Sequence, residues 1–133
     1  MRAAIALLRP FTLLAPVVGT LCAAGVAAAA LDRPWATASL LFACLSAAAA
    51  TGASNVWNQV FDADIDRRNK PHRPIPSGLV GVSAAKSYGH ALALLALVAG
   101  YFASPSFLAC VAVGLLGTWI YSAPPLRTKR STY

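Results

Sequence analysis

Glutamate is absent from this 133-residue chain, and its only acidic residues are four aspartates: Asp32, Asp62, Asp64 and Asp66. Charge of either sign is scarce, at 11% of residues against 58% apolar. Soluble domains carry about a quarter charged residues, so the composition points away from water. Three cysteines, Cys22, Cys44 and Cys110, are odd in number and far apart. They show neither metal-ligand spacing nor a disulfide framework, and read as small polarisable residues packing between helices. The chain also lacks an internal repeat, a low-complexity linker and a soluble domain.

What the chain does have is long uncharged runs. Residues 10–31, 34–61 and 87–126 contain no charged residue. About 20 apolar residues in a helix cross a hydrocarbon core roughly 30 Å thick. Ser104-Pro105 divides the last run, so four spans are expected, near 10–31, 35–61, 83–103 and 105–123. The first run is longer than the apolar segment of a signal peptide, and three more spans follow it. The expected fold class is an all-α, multi-pass transmembrane bundle. Gly19, Gly25, Ala47–Ala50, Gly114 and Gly117 are expected to let its helices approach closely.

The net charge of +7 is explained by topology rather than by nucleic acid. Arg2 and Arg9 precede the first span, and Arg67, Arg68, Lys70, Arg73 and Lys86 lie between the second and third. Arg127, Lys129 and Arg130 follow the fourth, leaving Arg33 alone on the other side. That bias places both termini and the loop 62–82 on the cytoplasmic face, against anionic headgroups of the lipid bilayer. No nucleic-acid partner is expected. The expected location is a bacterial inner (plasma) membrane.

Three aspartates fall in five positions, within Asn58-Gln59-Val60-Phe61-Asp62-Ala63-Asp64-Ile65-Asp66. At ~100° per residue, Asn58, Asp62 and Asp66 drift only ~40° along one helix face, while Asp64 is turned away. The second span is therefore expected to run on past the membrane core and end in a stripe of oxygen ligands. Mg²⁺ takes one or two carboxylates and completes its shell with water and substrate phosphates. On spacing alone, a solvated collar in which these aspartates pair with Arg67, Arg68 and Lys70 fits equally well.

The residues that follow shift the balance. Arg67-Arg68-Asn69-Lys70-Pro71-His72-Arg73-Pro74-Ile75-Pro76-Ser77-Gly78 cannot continue a helix through its prolines. Cations held beside carboxylates suit a metal-bridged diphosphate. His72, in a basic loop, receives no role. Asn58-x-x-x-Asp62-x-x-x-Asp66 followed by Lys70-Pro71-x-Arg73-Pro74-x-Pro76-Ser77-Gly78 resembles the first motif of the UbiA superfamily of intramembrane prenyltransferases. Arg9-Pro10-Phe11-Thr12-Leu13-Leu14 resembles the start of that family's first helix. Tyr121-Ser122-Ala123-Pro124-Pro125-Leu126-Arg127 resembles the end of its fourth.

The resemblance implies Mg²⁺-assisted transfer of an isoprenyl group from a polyprenyl diphosphate to an aromatic or other hydrophobic, lipid-precursor acceptor. It implies that Asn58, Asp62 and Asp66 bind diphosphate-bound Mg²⁺ and that Lys70 and Arg73 contact the diphosphate. Tyr121 and Ser122 would line the site near the reacting carbon, with Arg9 and Asn55 on the acceptor side. Trp57, Phe61, Trp119 and Tyr121 are available to a carbocation, although such an aromatic is more often an interface anchor or packing residue. Gln59 stands where many members carry Asp. Members are also about twice as long, with nine helices and a second Asp-rich motif. The chain is thus expected to form one incomplete domain, 1–133, inactive without a C-terminal half. A cation-transporter fragment and a non-catalytic membrane subunit are the competing readings.

Overall fold

The computed structural model describes residues 2–124. Residues 125–133, which include Arg127, Lys129, Arg130 and the end of the last motif, lie outside the described residues. Six helices follow one another: α1 (Arg2–Leu8), α2 (Pro10–Leu31), α3 (Thr37–Phe61), α4 (Ala63–Asn69), α5 (Val82–Ala103) and α6 (Pro105–Ser122). There is no strand among the described residues. Four of the helices, α2, α3, α5 and α6, are long and apolar enough to cross a membrane. They begin and end within two residues of the expected spans.

Local chemistry sets the boundaries. Pro10 opens α2 at a position where a missing N–H costs no helical bond. Asp32 closes α2 in a left-handed conformation, φ 46°. Between α5 and α6, Ser104 is extended and its Oγ accepts the Phe107 N–H at 3.1 Å, a side-chain cap ahead of Pro105.

Burial is inverted relative to a water-soluble protein. Large side chains face outward, among them Phe11, Leu14, Val26, Leu31, Leu94 and Val113, while the interior is built mostly of Ala, Gly and Ser. The central helix is α3, which packs against α1, α2, α5 and α6. It buries Ala43, Ser46, Ala49, Gly52, Ala53, Val56 and Val60, spaced three or four residues apart along one side. Against that stripe α5 sets Ala85, Gly89, Ala96, Ala99, Gly100 and Ala103. The backbones approach so closely that a Cβ on Gly89 would lie 2.7 Å from the Trp57 ring. Ser46 Oγ donates to the Ala96 carbonyl across the same seam at 2.6 Å.

Expectations about small residues hold only in part. Ala49 is buried at the seam and Ala50 packs against it. Gly19, Gly25, Gly114 and Gly117, however, have no neighbouring atom beyond their own helix backbone within 4 Å of the place a Cβ would occupy, and the close glycine approaches fall at Gly52, Gly89 and Gly100. Cys22 and Cys110 are exposed on α2 and α6 rather than packed between helices, and Cys44 is half-buried. Composition marks small residues, but only helix phase decides which of them meet a neighbour.

The segment after α4 is not a solvent arm. It folds back in successive turns, with Arg73 N–H to Lys70 O, Ser77 N–H to Arg73 O and Val80 N–H to Pro74 O. Gly78 supplies the positive φ of 78° that the last turn requires. Ile75 enters a core cluster with Leu7, Val56, Val60, Ala63 and Ala85, which ties the loop to α1, α3 and α5.

Candidate functional site

The polar residues collect where α3 ends. The expected continuous stripe is broken there: α3 stops at Phe61, and Asp62 leaves helical geometry at φ −97°, ψ 6° before α4 begins. The hydrogen bonds Asp62 N–H to Asn58 O and Asp66 N–H to Asp62 O persist across the break. Asn58 and Asp62 therefore belong to α3 and its cap, and Asp66 to a short second helix. The side chains still divide as their spacing suggests. Asp66 is buried, at 4% exposure, whereas Asp64 is exposed and pairs with Arg67 at 3.3 Å.

Asp66 holds Arg73. Its Oδ2 accepts the guanidinium NH1, in a pair only 6% and 21% exposed at the side chains. The turn between Lys70 and Arg73 makes this possible by returning the chain toward α4 after Pro71. Lys70 and His72 are exposed. The solvated-collar reading is right for Asp64, which pairs with Arg67; Asp66 takes its cation from the proline-rich turn, not from its own helix.

Asn58 is fixed from α6. Ser122 Oγ donates to Asn58 Oδ1 at 3.1 Å, and Ser122 is fully buried. The neighbouring Tyr121 is half exposed on the same last turn. The aromatic residues separate by role. Trp57 is buried edge-on against Trp119, centroids 5.0 Å apart, and Phe61 meets Trp119 at 5.3 Å. His90 completes this cluster at the seam of α3, α5 and α6. Trp57 is thus a packing residue, with its indole Nε1 buried and unpaired.

Arg9 arrives from the opposite side, at the junction of α1 and α2. Its backbone is left-handed, φ 53°, a conformation that costs a non-glycine residue about 1–2 kcal/mol. Burial holds its guanidinium below the ordinary arginine pKa. The positive charge of Arg73 lowers it further, while Asp66 and Asp62 act in the opposite direction. One corner of the molecule thus gathers Arg9, Arg73, Asp62 and Asp66. Asn55 lies nearby but points at α1 and α2: its Nδ2 donates to the Leu8 carbonyl at 2.8 Å and to Thr12 Oγ1 at 2.7 Å.

Sequence reasoning missed Gln59, which it treated only as a departure from a motif. Gln59 is buried, and its Nε2 donates to the Leu7 carbonyl at 2.8 Å and the Asn55 carbonyl at 3.1 Å. The available signal was Asn55 and Gln59, two carboxamides four residues apart on one side of an uncharged span.

Among the described residues, no three His, Cys, Asp or Glu side chains converge as a self-contained metal site. The oxygen donors in this corner are two carboxylates and the Asn58 carboxamide. That set fits Mg²⁺ sharing its shell with water and substrate phosphates. Asp66 can keep Arg73 on one oxygen and offer the other, because a carboxylate has about four lone-pair sites.

Comparison with known proteins agrees with this architecture. The chain is 34% identical over 114 residues to the digeranylgeranylglyceryl phosphate synthase of Methanobrevibacter smithii, covering 86% of this chain and 35% of that relative. It is 33% identical to the bacteriochlorophyll synthase 33 kDa chain of Rhodobacter capsulatus, covering 98% of this chain and 42% of the relative. A solved structure from work on digeranylgeranylglyceryl phosphate synthase in membranes superposes with a TM-score of 0.84 at 25% identity. It covers 91% of this chain and 42% of that one. The chain therefore spans between a third and a half of the length of these proteins. Residues 16–133 match the model of the UbiA prenyltransferase family, and with the fold in agreement, this integral membrane chain belongs to that family.

Proposed function

We propose that this chain supplies the diphosphate-binding end of a membrane prenyltransferase, which transfers an isoprenyl group from a polyprenyl diphosphate to a hydrophobic acceptor. The observation that carries this reading is the meeting of Asp62, Asp66, Arg73 and Arg9 at one end of α3. Asp66 already pairs with Arg73, so the corner sets carboxylates able to share a metal ion beside cations able to meet phosphate oxygens.

In this proposal Asp62, Asp66 and Asn58 hold Mg²⁺, with Ser122 orienting Asn58. When bound, the metal ion neutralises charge on the leaving diphosphate. Arg73 and Lys70 bind the remaining phosphate oxygens, and Arg9 adds a third cation at the same end. Fixed positive charge beside the leaving group favours departure of the anion over its return. Tyr121 and Ser122 lie on the last turn of α6, beside the position proposed for the allylic carbon. Phe61 and Trp119 present the nearest aromatic surface. The acceptor side, the second acidic motif and the C-terminal helices would come from the further length that the relatives carry. The basic residues around loop 62–82 support a cytoplasmic active face and cytoplasmic termini.

Binding of labelled geranylgeranyl diphosphate to the chain in lipid nanodiscs tests the reading. Saturable binding that requires Mg²⁺, survives Asp64→Asn and is lost in Asp62→Asn is expected. Binding that is indifferent to Mg²⁺, or retained in Asp62→Asn, would overturn it.

A further inference from the structure

We propose that Gln59, supported by Asn55, is a positioning residue that sets Arg9 over the acidic end of α3. The inference deepens the diphosphate-site reading and rests on it for its purpose, although the geometry stands by itself. Pro10 has no N–H, so α1 cannot run on into α2 as one helix. At the break the Thr12 N–H turns to the Arg9 carbonyl at 2.8 Å, and the Leu8 carbonyl loses its usual helical donor. Buried carbonyls left this way need partners. Asn55 supplies one to Leu8 and Gln59 supplies one to Leu7.

The two carboxamides sit one turn apart on α3, and Gln59 Nε2 also donates to the Asn55 main-chain carbonyl of its own helix. Thr12 locks the other side of the junction: its Oγ1 donates to the Arg9 carbonyl and accepts from Asn55 Nδ2. Arg9 is therefore flanked by bonded neighbours before and after it, and its left-handed backbone is held from α3. Gln59 is also next to Asn58 and three residues from Asp62. The last turns of α3 thus carry the clamp that brings in the opposing cation together with Asn58, and lead directly into Asp62 at the cap. Polar side chains in a membrane span are costly unless they find partners, and Gln59 finds one in the Leu7 carbonyl of the junction and one in the Asn55 main-chain carbonyl.

Gln59→Met keeps length and volume and deletes the donor. The full chain is reconstituted in nanodiscs without ligand and treated with phenylglyoxal, and modification of each arginine is followed by peptide mass spectrometry. Modification of Arg9 should speed up by about fivefold, the population change expected from one lost hydrogen bond. Arg73, held by Asp66, should react at its original rate. Equal Arg9 rates in the variant and the unmodified chain overturn the proposal. So does a parallel rise at Arg9 and Arg73, which would mean general loosening. Should Gln59→Met fail to insert, Asn55→Leu, which drops the Leu8 and Thr12 bonds, is judged by the same criterion.

A binding readout separates this inference from the functional reading. With Mg²⁺ and inorganic pyrophosphate as the probe, Gln59→Met should weaken binding several-fold in the original background. It should add nothing in an Arg9→Met background, because a residue acting through Arg9 has no effect once Arg9 is gone. Equal weakening in both backgrounds contradicts positioning. If the unmodified chain binds no pyrophosphate, the functional reading fails, while the labelling result still decides whether Gln59 seats Arg9.

Discussion

Asp66→Asn is the substitution whose consequence the structure constrains most tightly. Asp66 is 4% exposed and its ion-pair partner Arg73 keeps about one-fifth of its side chain exposed. Breaking a buried pair by removing one member costs about 3–5 kcal/mol, because the survivor is left buried and uncompensated. Partial exposure of Arg73 moves the figure to the low end, while its proximity to Arg9 pushes it back, since losing Asp66 leaves two facing cations. We expect about 3 kcal/mol, read as a shift in reversible unfolding by SDS in mixed micelles, followed by circular dichroism. Asp66→Asn combined with Arg73→Met should recover about 2 kcal/mol, since replacing both partners removes the stranded charge. Asp64→Asn is the control and should leave the midpoint unchanged, because that pair is solvated. A loss from Asp66→Asn no larger than that from Asp64→Asn, or a double variant no better than the single one, would refute the reasoning.

Gly89→Ala should destabilise by about 1–3 kcal/mol, since the new Cβ meets a Trp57 ring already wedged against Trp119 and His90. The same assay on Gly117→Ala, where no atom lies within 4 Å, should show no loss. Ser122→Ala removes the hydrogen bond to Asn58, worth about 1 kcal/mol, and should weaken Mg²⁺-dependent pyrophosphate binding about fivefold without altering the fold. Calorimetric titration checks that value, and unchanged affinity would remove Ser122 from the site.

The four spans were legible in the sequence because charge-free runs of helical length have one stable arrangement in lipid. That the polar residues collect beside loop 62–82 followed from the aspartates and basic residues clustered there. Two features escaped for physical reasons. The break at Asp62 leaves the i to i+4 hydrogen bonds intact, so the spacing of Asn58, Asp62 and Asp66 looks like one helix although Asp62 itself leaves helical geometry. The partner of Asp66 is seven residues away around a turn, beyond the reach of helix periodicity. Small residues were legible by type but not by phase, as Gly89 and Gly117 show. Gln59 was the costliest omission: its partner, the Leu7 carbonyl, is 52 residues away in sequence and is backbone, which no side-chain motif records.

The central claim is that Asp62 and Asp66, but not Asp64, grip a divalent ion bridged to a diphosphate. Electron paramagnetic resonance of Mn²⁺ in the reconstituted chain, with a non-hydrolysable isoprenyl thiolodiphosphate, tests it directly. The account predicts bound Mn²⁺ with phosphorus hyperfine coupling that appears only with the analogue, persists in Asp64→Asn and vanishes in Asp62→Asn. An unchanged signal in Asp62→Asn, or its loss in Asp64→Asn, would contradict it.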